Sequence, residues 1–98
     1  MQELESILDV ACSVTRCSMR QAKGRGRQQK CVFARFIFFA IATENGTRDY
    51  VAVWLLRRDR SVAYYYKRRV EDLSQFDKDF NVLLSKAREK YARLCKSV

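Results

Sequence analysis

Ninety-eight residues make a single domain with enough chain for a hydrophobic core, and an apolar fraction of 48% excludes a disordered class. Twenty Lys and Arg against 11 Asp and Glu give a net charge of +9, the electrostatic footprint of a protein that meets a polyanion. The chain contains no histidine, so neither a Ser-His nor a Cys-His nucleophile can be assembled, and no enzyme is expected.

In residues 2–14, QELESILDVACSV, Leu4, Ile7, Leu8 and Ala11 fall on one face and Glu3, Glu5 and Asp9 elsewhere, which predicts a core-facing amphipathic helix. Those early acids also fail the basic-then-apolar pattern of a secretory leader, so a cytosolic location is expected. Ser18 is placed to cap a short helical turn through Met19 and Ala22. After it, the basic loop 23–30 holds Lys23, Arg25, Arg27 and Lys30 with two of the three glycines. It lacks the Lys-Ser/Thr ending of a phosphate-cradling loop, and a nuclear-localisation patch needs a eukaryotic context the sequence does not show, which leaves a disordered basic arm or a loop whose Arg27 enters a narrow minor groove.

The run from Cys31 to Glu44, CVFARFIFFAIATE, is apolar on nearly every side with Arg35 inside it. It falls short of the roughly 20 apolar residues that cross a bilayer, so a buried core helix is expected, with Phe33, Phe36, Phe38 and Phe39 supplying much of the core. No membrane partner follows from it. Asn45 and Gly46 are placed to stop this helix through a left-handed backbone.

Residues 47–73, TRDYVAVWLLRRDRSVAYYYKRRVEDL, read as two short helices joined by an arginine-bearing turn, the layout of a helix-turn-helix. Tyr50, Val51, Val53, Trp54, Leu55 and Leu56 supply the apolar side of the first. Thr47, Asp59 and Ser61 stand where side chains cap free N–H groups. The β-branched and aromatic content also permits a hairpin around RRDRS, although no Gly or Asn is there to give the positive φ of a two-residue turn. On a helix the consecutive Tyr64, Tyr65 and Tyr66 spread around the circumference, so one or two of them pack inside. A C-terminal helix at about 77–96 places Phe80, Leu83, Leu84, Ala87, Tyr91 and Leu94 at helix spacing, with acids at its start and cations at its end.

Charge is segregated along the chain. From Val10 to Thr43 there are seven basic residues and no acidic one, and from Arg57 to Arg69 six basic residues against Asp59 alone. Such segregation favours a surface made for phosphate. Cys12, Cys17, Cys31 and Cys95 have no C-x-x-C spacing, so reduced, mostly packed thiols are expected and no metal is implied.

LLRRDRSVAYYYKRRVEDL resembles the end of the C-terminal DNA-binding domain of the bacterial replication initiator DnaA, a family pattern of roughly L-F-G-R-D-H-S-T-V followed by a helix ending in a basic pair and V-E-x-L. Arg58, Asp59, Ser61, Arg68, Arg69, Val70, Glu71 and Leu73 match in order, and Ala34, Arg35 and Arg27 fall on the family's long-helix A-R and basic-loop arginine. The resemblance implies an all-α domain of five to six helices (basic loop 23–30, helix-turn-helix 47–73). It implies double-stranded DNA as partner, nucleoid association, and a role in replication or transcription regulation, with a replication protein as a further partner. Helix 60–72 would enter the major groove with Asp59, Arg60, Ser61 and Val62 at base edges and Arg27 in the minor groove. Lys23, Arg25, Lys30, Arg35, Arg48, Arg57, Arg58, Arg68 and Arg69 would contact phosphate.

Where the family reads bases with His and Thr this chain has Arg60 and Val62, the turn glycine is Arg57, and a usually apolar helix position is Lys67. DNA binding is implied, but the family's target sequence is not. No G-x-x-x-x-G-K-[ST] loop is present, so no nucleotide cofactor is expected. The alternatives from other classes are a protein-interaction module that has lost specific DNA reading and an RNA-binding module.

Overall fold

Every other α-helix of the molecule packs against α3 (Gln29–Glu44), the uniformly apolar segment. In the computed structural model, which describes residues 2 to 96, the order is α1 (Gln2–Thr15), α2 (Met19–Lys23), α3, α4 (Asp49–Leu55), a single 3-10 turn (Arg60–Val62), α5 (Ala63–Phe76) and α6 (Lys78–Lys96). The protein is all-α, and no strand occurs among the described residues, so residues 50–67 do not form a hairpin around RRDRS.

A helix that is hydrophobic all round has to be covered all round. From Phe33 to Ala42 every side chain of α3 is buried, Arg35 included. α1 covers it with Ile7, Leu8 and Ala11, and α6 with Phe80, Leu84, Ala87 and Tyr91. Phe80 meets Phe33 edge to face at 5.4 Å. Tyr66 of α5 meets Phe36 at 4.9 Å and Phe39 at 5.7 Å. Leu94, expected on the apolar face of the last helix, is exposed at 44%.

The helix ends follow the sequence in part. Ser18 Oγ accepts the Gln21 N–H and Gln21 Oε1 accepts the Ser18 N–H, both at 3.0 Å, a reciprocal cap on α2. Asp77 Oδ1 accepts the Phe80 N–H at 3.0 Å and so opens α6. Gly46, at φ 94°, closes α3 together with Thr47, whose N–H reaches the Ala42 carbonyl at 3.0 Å. Thr47 therefore ends α3 and does not cap α4. The cap position of α4 is Arg48, and neither Arg48 nor Asp59 makes a side-chain cap bond.

The helix expected over 60–72 begins instead with a 3-10 turn, in which the Val62 N–H reaches the Asp59 carbonyl at 3.1 Å, and its α-helical part runs on to Phe76. That tighter bonding satisfies by backbone what the Asp59 and Ser61 side chains were expected to satisfy.

Candidate nucleic-acid interface

The turn between α4 and α5 is closed without glycine. Arg57 takes φ 62°, its N–H bonds to the Trp54 carbonyl at 2.8 Å, and the Arg58 N–H reaches back to the Val53 carbonyl at 2.9 Å. This is a Schellman closure with arginine in the left-handed position that glycine occupies at the end of α3. α1 ends in the same way with Arg16 at φ 59°. Holding Arg57 there sends its exposed side chain outward and turns Arg58 inward.

Arg58 then reaches across the molecule. Its Nη1 donates to the Leu56 carbonyl at 2.8 Å and to that of Lys23 at 3.4 Å, and its Nη2 donates to the Gly24 carbonyl. Arg35, only 6% exposed, meets the same segment from the other side. Its Nε donates to Ala22 at 2.8 Å, and its Nη2 to Gln21 and Gly24, both at 3.1 Å. Apart from that of Leu56, the carbonyls gathered here lie at the C-terminal end of α2, where partial negative charge favours a cation, and the Gln21 carbonyl also accepts the Gly24 N–H at 3.1 Å. Two guanidinium forks thus hold the start of the basic loop against α3 and the α4–α5 turn.

Of the residues expected at phosphates, two are therefore reassigned. Arg35 is buried and committed to three carbonyls, and the half-buried Arg58 is an internal fastener. The cause is the same for both: a forked, always-charged donor is the side chain best able to satisfy several converging carbonyls. Burial raises the Tyr66 hydroxyl pKa from its ordinary value, and the Arg58 and Arg35 charges partly oppose this.

The remaining residues stay outside. Arg25 and Arg27 are exposed in the loop, Lys30 is exposed on the first turn of α3, Lys23 is half-buried at the end of α2, and Arg48 is exposed in front of α4. At the tip of α5, Asp59, Arg60 and Ser61 are exposed and Val62 is half-buried against the core. On α5, Tyr64, Lys67 and Arg68 share an outward face by their i, i+3, i+4 spacing, and Arg68 Nη1 lies 3.5 Å from Tyr64 Oη. Arg69 is half-buried on the flank, and Glu71 and Asp72 follow on the next turn, so the cationic part of α5 is its first half.

Sequence reasoning grouped Tyr50 and Trp54 with the other apolar residues of α4, and the structure leaves these two 45% and 64% exposed. The helix period explains it, because Ala52, Val53 and Leu56 lie on the buried side and Tyr50 and Trp54, one turn apart, lie away from it. Arg60 lies over the Tyr50 ring with its guanidinium carbon 5.4 Å from the centroid. Tyr50, Val51, Trp54, Arg58, Asp59 and Arg60 line a concavity of about 510 Å³.

Cys12, Cys17 and Cys31 are buried and free, Cys17 Sγ stands 3.5 Å from Cys31 Sγ, and Cys95 is exposed. Among the described residues no group of three or more Cys, Asp or Glu side chains is placed to hold a metal ion. No helix among them is long and apolar enough to cross a membrane. No protein-family model, no curated protein and no solved structure matches the chain.

Proposed function

We propose that the protein is a duplex DNA-binding module in which α4, the turn and α5 act as a helix-turn-helix and the loop between α2 and α3 supplies a second contact. The observation that carries this reading is the Arg58 fork. By bonding to the carbonyls of Lys23 and Gly24, it brings together two of the cation-rich stretches of the chain, the loop 23–30, which has no acid, and 57–69, where Asp59 is the one acid. The side-chain ion pairs Arg88–Glu44 and Arg93–Glu89 both lie outside those stretches. Arg25, Arg27, Arg57, Arg60, Lys67 and Arg68 are exposed and form no ion pair among the described residues, so their charge is available to phosphates.

On this reading the tip residues Asp59, Arg60, Ser61 and Val62 approach base edges in the major groove, and Arg27 lies in the adjacent minor groove. Arg48, Arg57, Arg68 and Arg69, with Lys23, Arg25 and Lys30, fix the register on the backbone. No catalytic role is assigned. A setting in replication or regulation, at the nucleoid, rests on the resemblance to the DnaA C-terminal domain.

The test is a titration of labelled duplex DNA with the whole chain at several salt concentrations. Neutralising about four to six phosphates gives a slope of log affinity on log salt of roughly −4 to −5. Absence of binding at low salt would overturn the reading, and a preference for structured RNA over duplex DNA would transfer it to RNA.

A further inference from the structure

Trp54, the sole tryptophan of the chain, lines two adjoining concavities, one shared with Tyr50, Val51, Asp59 and Arg60 and the other with Leu55 and Arg57, while Arg58 borders both. An indole left 64% exposed at the point where a helix turns back costs solvation, and neither its own helix nor the core covers it. Beside it stands the Tyr50 ring, with the Arg60 guanidinium carbon 5.4 Å above its centroid. The walls of the larger concavity thus combine two aromatic rings with Val51, Arg58, Arg60 and the Asp59 carboxylate, and Arg57 stands in the adjoining one; the exposed Arg57 and Arg60 have no ion-pair partner among the described residues.

The shape selects among occupants. At about 510 Å³ the larger concavity falls within the roughly 300–1,000 Å³ of small-ligand clefts. It is built on a single turn, since Tyr50 and Trp54 are four residues and so about 6 Å apart along α4. A docked amphipathic helix needs anchors over two turns or more. A single flat aromatic group with an anion attached suits the rings and the exposed arginines together.

We infer that the Tyr50–Trp54 cleft binds one unpaired nucleobase by stacking, with its phosphate held by Arg57 or Arg60. This rests on the duplex-binding reading and extends it. With Arg60 shared between the cleft and the tip of α5, the preferred ligand is a duplex interrupted by a short single-stranded gap, the duplex on α5 and the first unpaired base on Trp54. Aromatic stacking of this kind is sequence-tolerant, because every base has a π face.

The experiment compares three probes with the full chain at one low salt concentration: a blunt duplex, the same duplex with a three-nucleotide gap, and a thymidine decanucleotide. Trp54 fluorescence is read alongside anisotropy of the labelled DNA. The gapped duplex is expected to quench Trp54 and to bind roughly 5- to 100-fold tighter than the blunt one. Trp54→Ala, at an exposed position, should bring the two affinities together while leaving the blunt duplex unchanged, and Trp54→Phe should restore part of the difference.

If the blunt duplex binds and the gapped one neither quenches Trp54 nor gains affinity, the cleft proposal is wrong and the duplex reading stands. If no duplex binds but the decanucleotide quenches Trp54, stacking in the cleft holds and the duplex reading fails. Quenching by a glutamate- and leucine-rich peptide and by no oligonucleotide would overturn the proposal in favour of a protein partner.

Discussion

Arg35 and Arg58 donate to the same acceptor, the carbonyl oxygen of Gly24, from opposite sides of the loop. One comes from the central helix and the other from the α4–α5 turn, so the start of the loop cannot shift relative to either without losing a charge-assisted bond. The basic loop and the turn are one mechanical unit at this point. The shared acceptor also makes the two arginines energetically interdependent.

A double-mutant cycle measures that dependence. Arg35→Ala removes the side-chain donor of the Ala22 carbonyl and one of two donors each from the Gln21 and Gly24 carbonyls, and empties a buried site, so it should destabilise the fold by about 2–4 kcal/mol, and Arg58→Ala by about 1–2 kcal/mol. The coupling in the double variant should be at least about 0.5 kcal/mol. Arg35→Lys should recover little, because an ammonium cannot present a fork to carbonyls in two directions. Strict additivity in urea unfolding would show that the Gly24 oxygen is not shared in solution.

Much of the fold was legible because the apolar positions have strong periodicity. The Leu4, Ile7, Leu8, Ala11 face of α1 and the Phe80, Leu84, Ala87, Tyr91 face of α6 are buried as spacing predicts, and the phenylalanines of α3 are buried as a run apolar on nearly every side predicts. What the sequence concealed was set by tertiary contact. An arginine that feeds carbonyls is indistinguishable from one that feeds phosphates, since both are cations beside a basic loop, and so Arg35 and Arg58 were misplaced. Tyr50 and Trp54 were hidden in a run with apolar residues on every side, where only the three-dimensional position of Ala52, Val53 and Leu56 decides which face is covered. The caps of α4 and of the 3-10 turn were misread because backbone bonds took the role assigned to Thr47 and Asp59.

Arg57 gives a test that separates fold from function. A non-glycine residue at φ 62° carries a steric cost of about 1 kcal/mol, so Arg57→Gly should stabilise the protein by roughly that amount. Arg57→Val, branched at Cβ, should destabilise it. If the exposed Arg57 side chain meets a phosphate, the stabilised glycine variant should bind DNA more weakly, with the salt slope reduced by about one unit. Stability and affinity rising together would remove Arg57 from the interface.

Stability should fall in alkali. The Cys12 thiol is pushed from 9.0 up to about 12, chiefly by burial and then by Cys17 beside it, and Cys17 up to about 11, by burial and by Cys31. A raised native pKa means that above about pH 9 the unfolded chain has released protons that the native state still holds. The stabilisation is thus complete below pH 9 and declines as pH rises toward 11–12, by up to about 1.4 kcal/mol per pH unit for each thiol. Urea unfolding from pH 7 to pH 11 checks this, and Cys12→Ala should flatten part of the decline. A constant stability between pH 8 and 11 would mean that these thiols are not buried as described.

On the proposed duplex-binding reading, the exposed face of the turn and α5 divides its labour. Arg60 stands at the tip, where a guanidinium fork can grip the O6 and N7 atoms of guanine, but in the free protein it rests on the Tyr50 ring. Reading a base in this way means leaving that ring, a contact worth about 0.5–1 kcal/mol at an exposed site. Arg60→Ala should therefore cost about 1–3 kcal/mol on a selected duplex and much less on a scrambled one. Tyr50→Ala, which frees Arg60, should leave selected-site affinity equal or slightly higher. Arg68 lies two turns further along the helix beside Tyr64, so Arg68→Ala should weaken all duplexes about equally and lower the salt slope by about one unit. Arg27→Ala should fall between the two, with the larger loss on A·T-rich flanks, whose narrow minor groove holds arginine best. The measurement is one set of titrations of the four variants against a duplex selected from a random pool and its scrambled control. Equal losses for Arg60→Ala on both would mean that the tip of α5 reads no bases, and the module would then bind the DNA backbone without sequence preference.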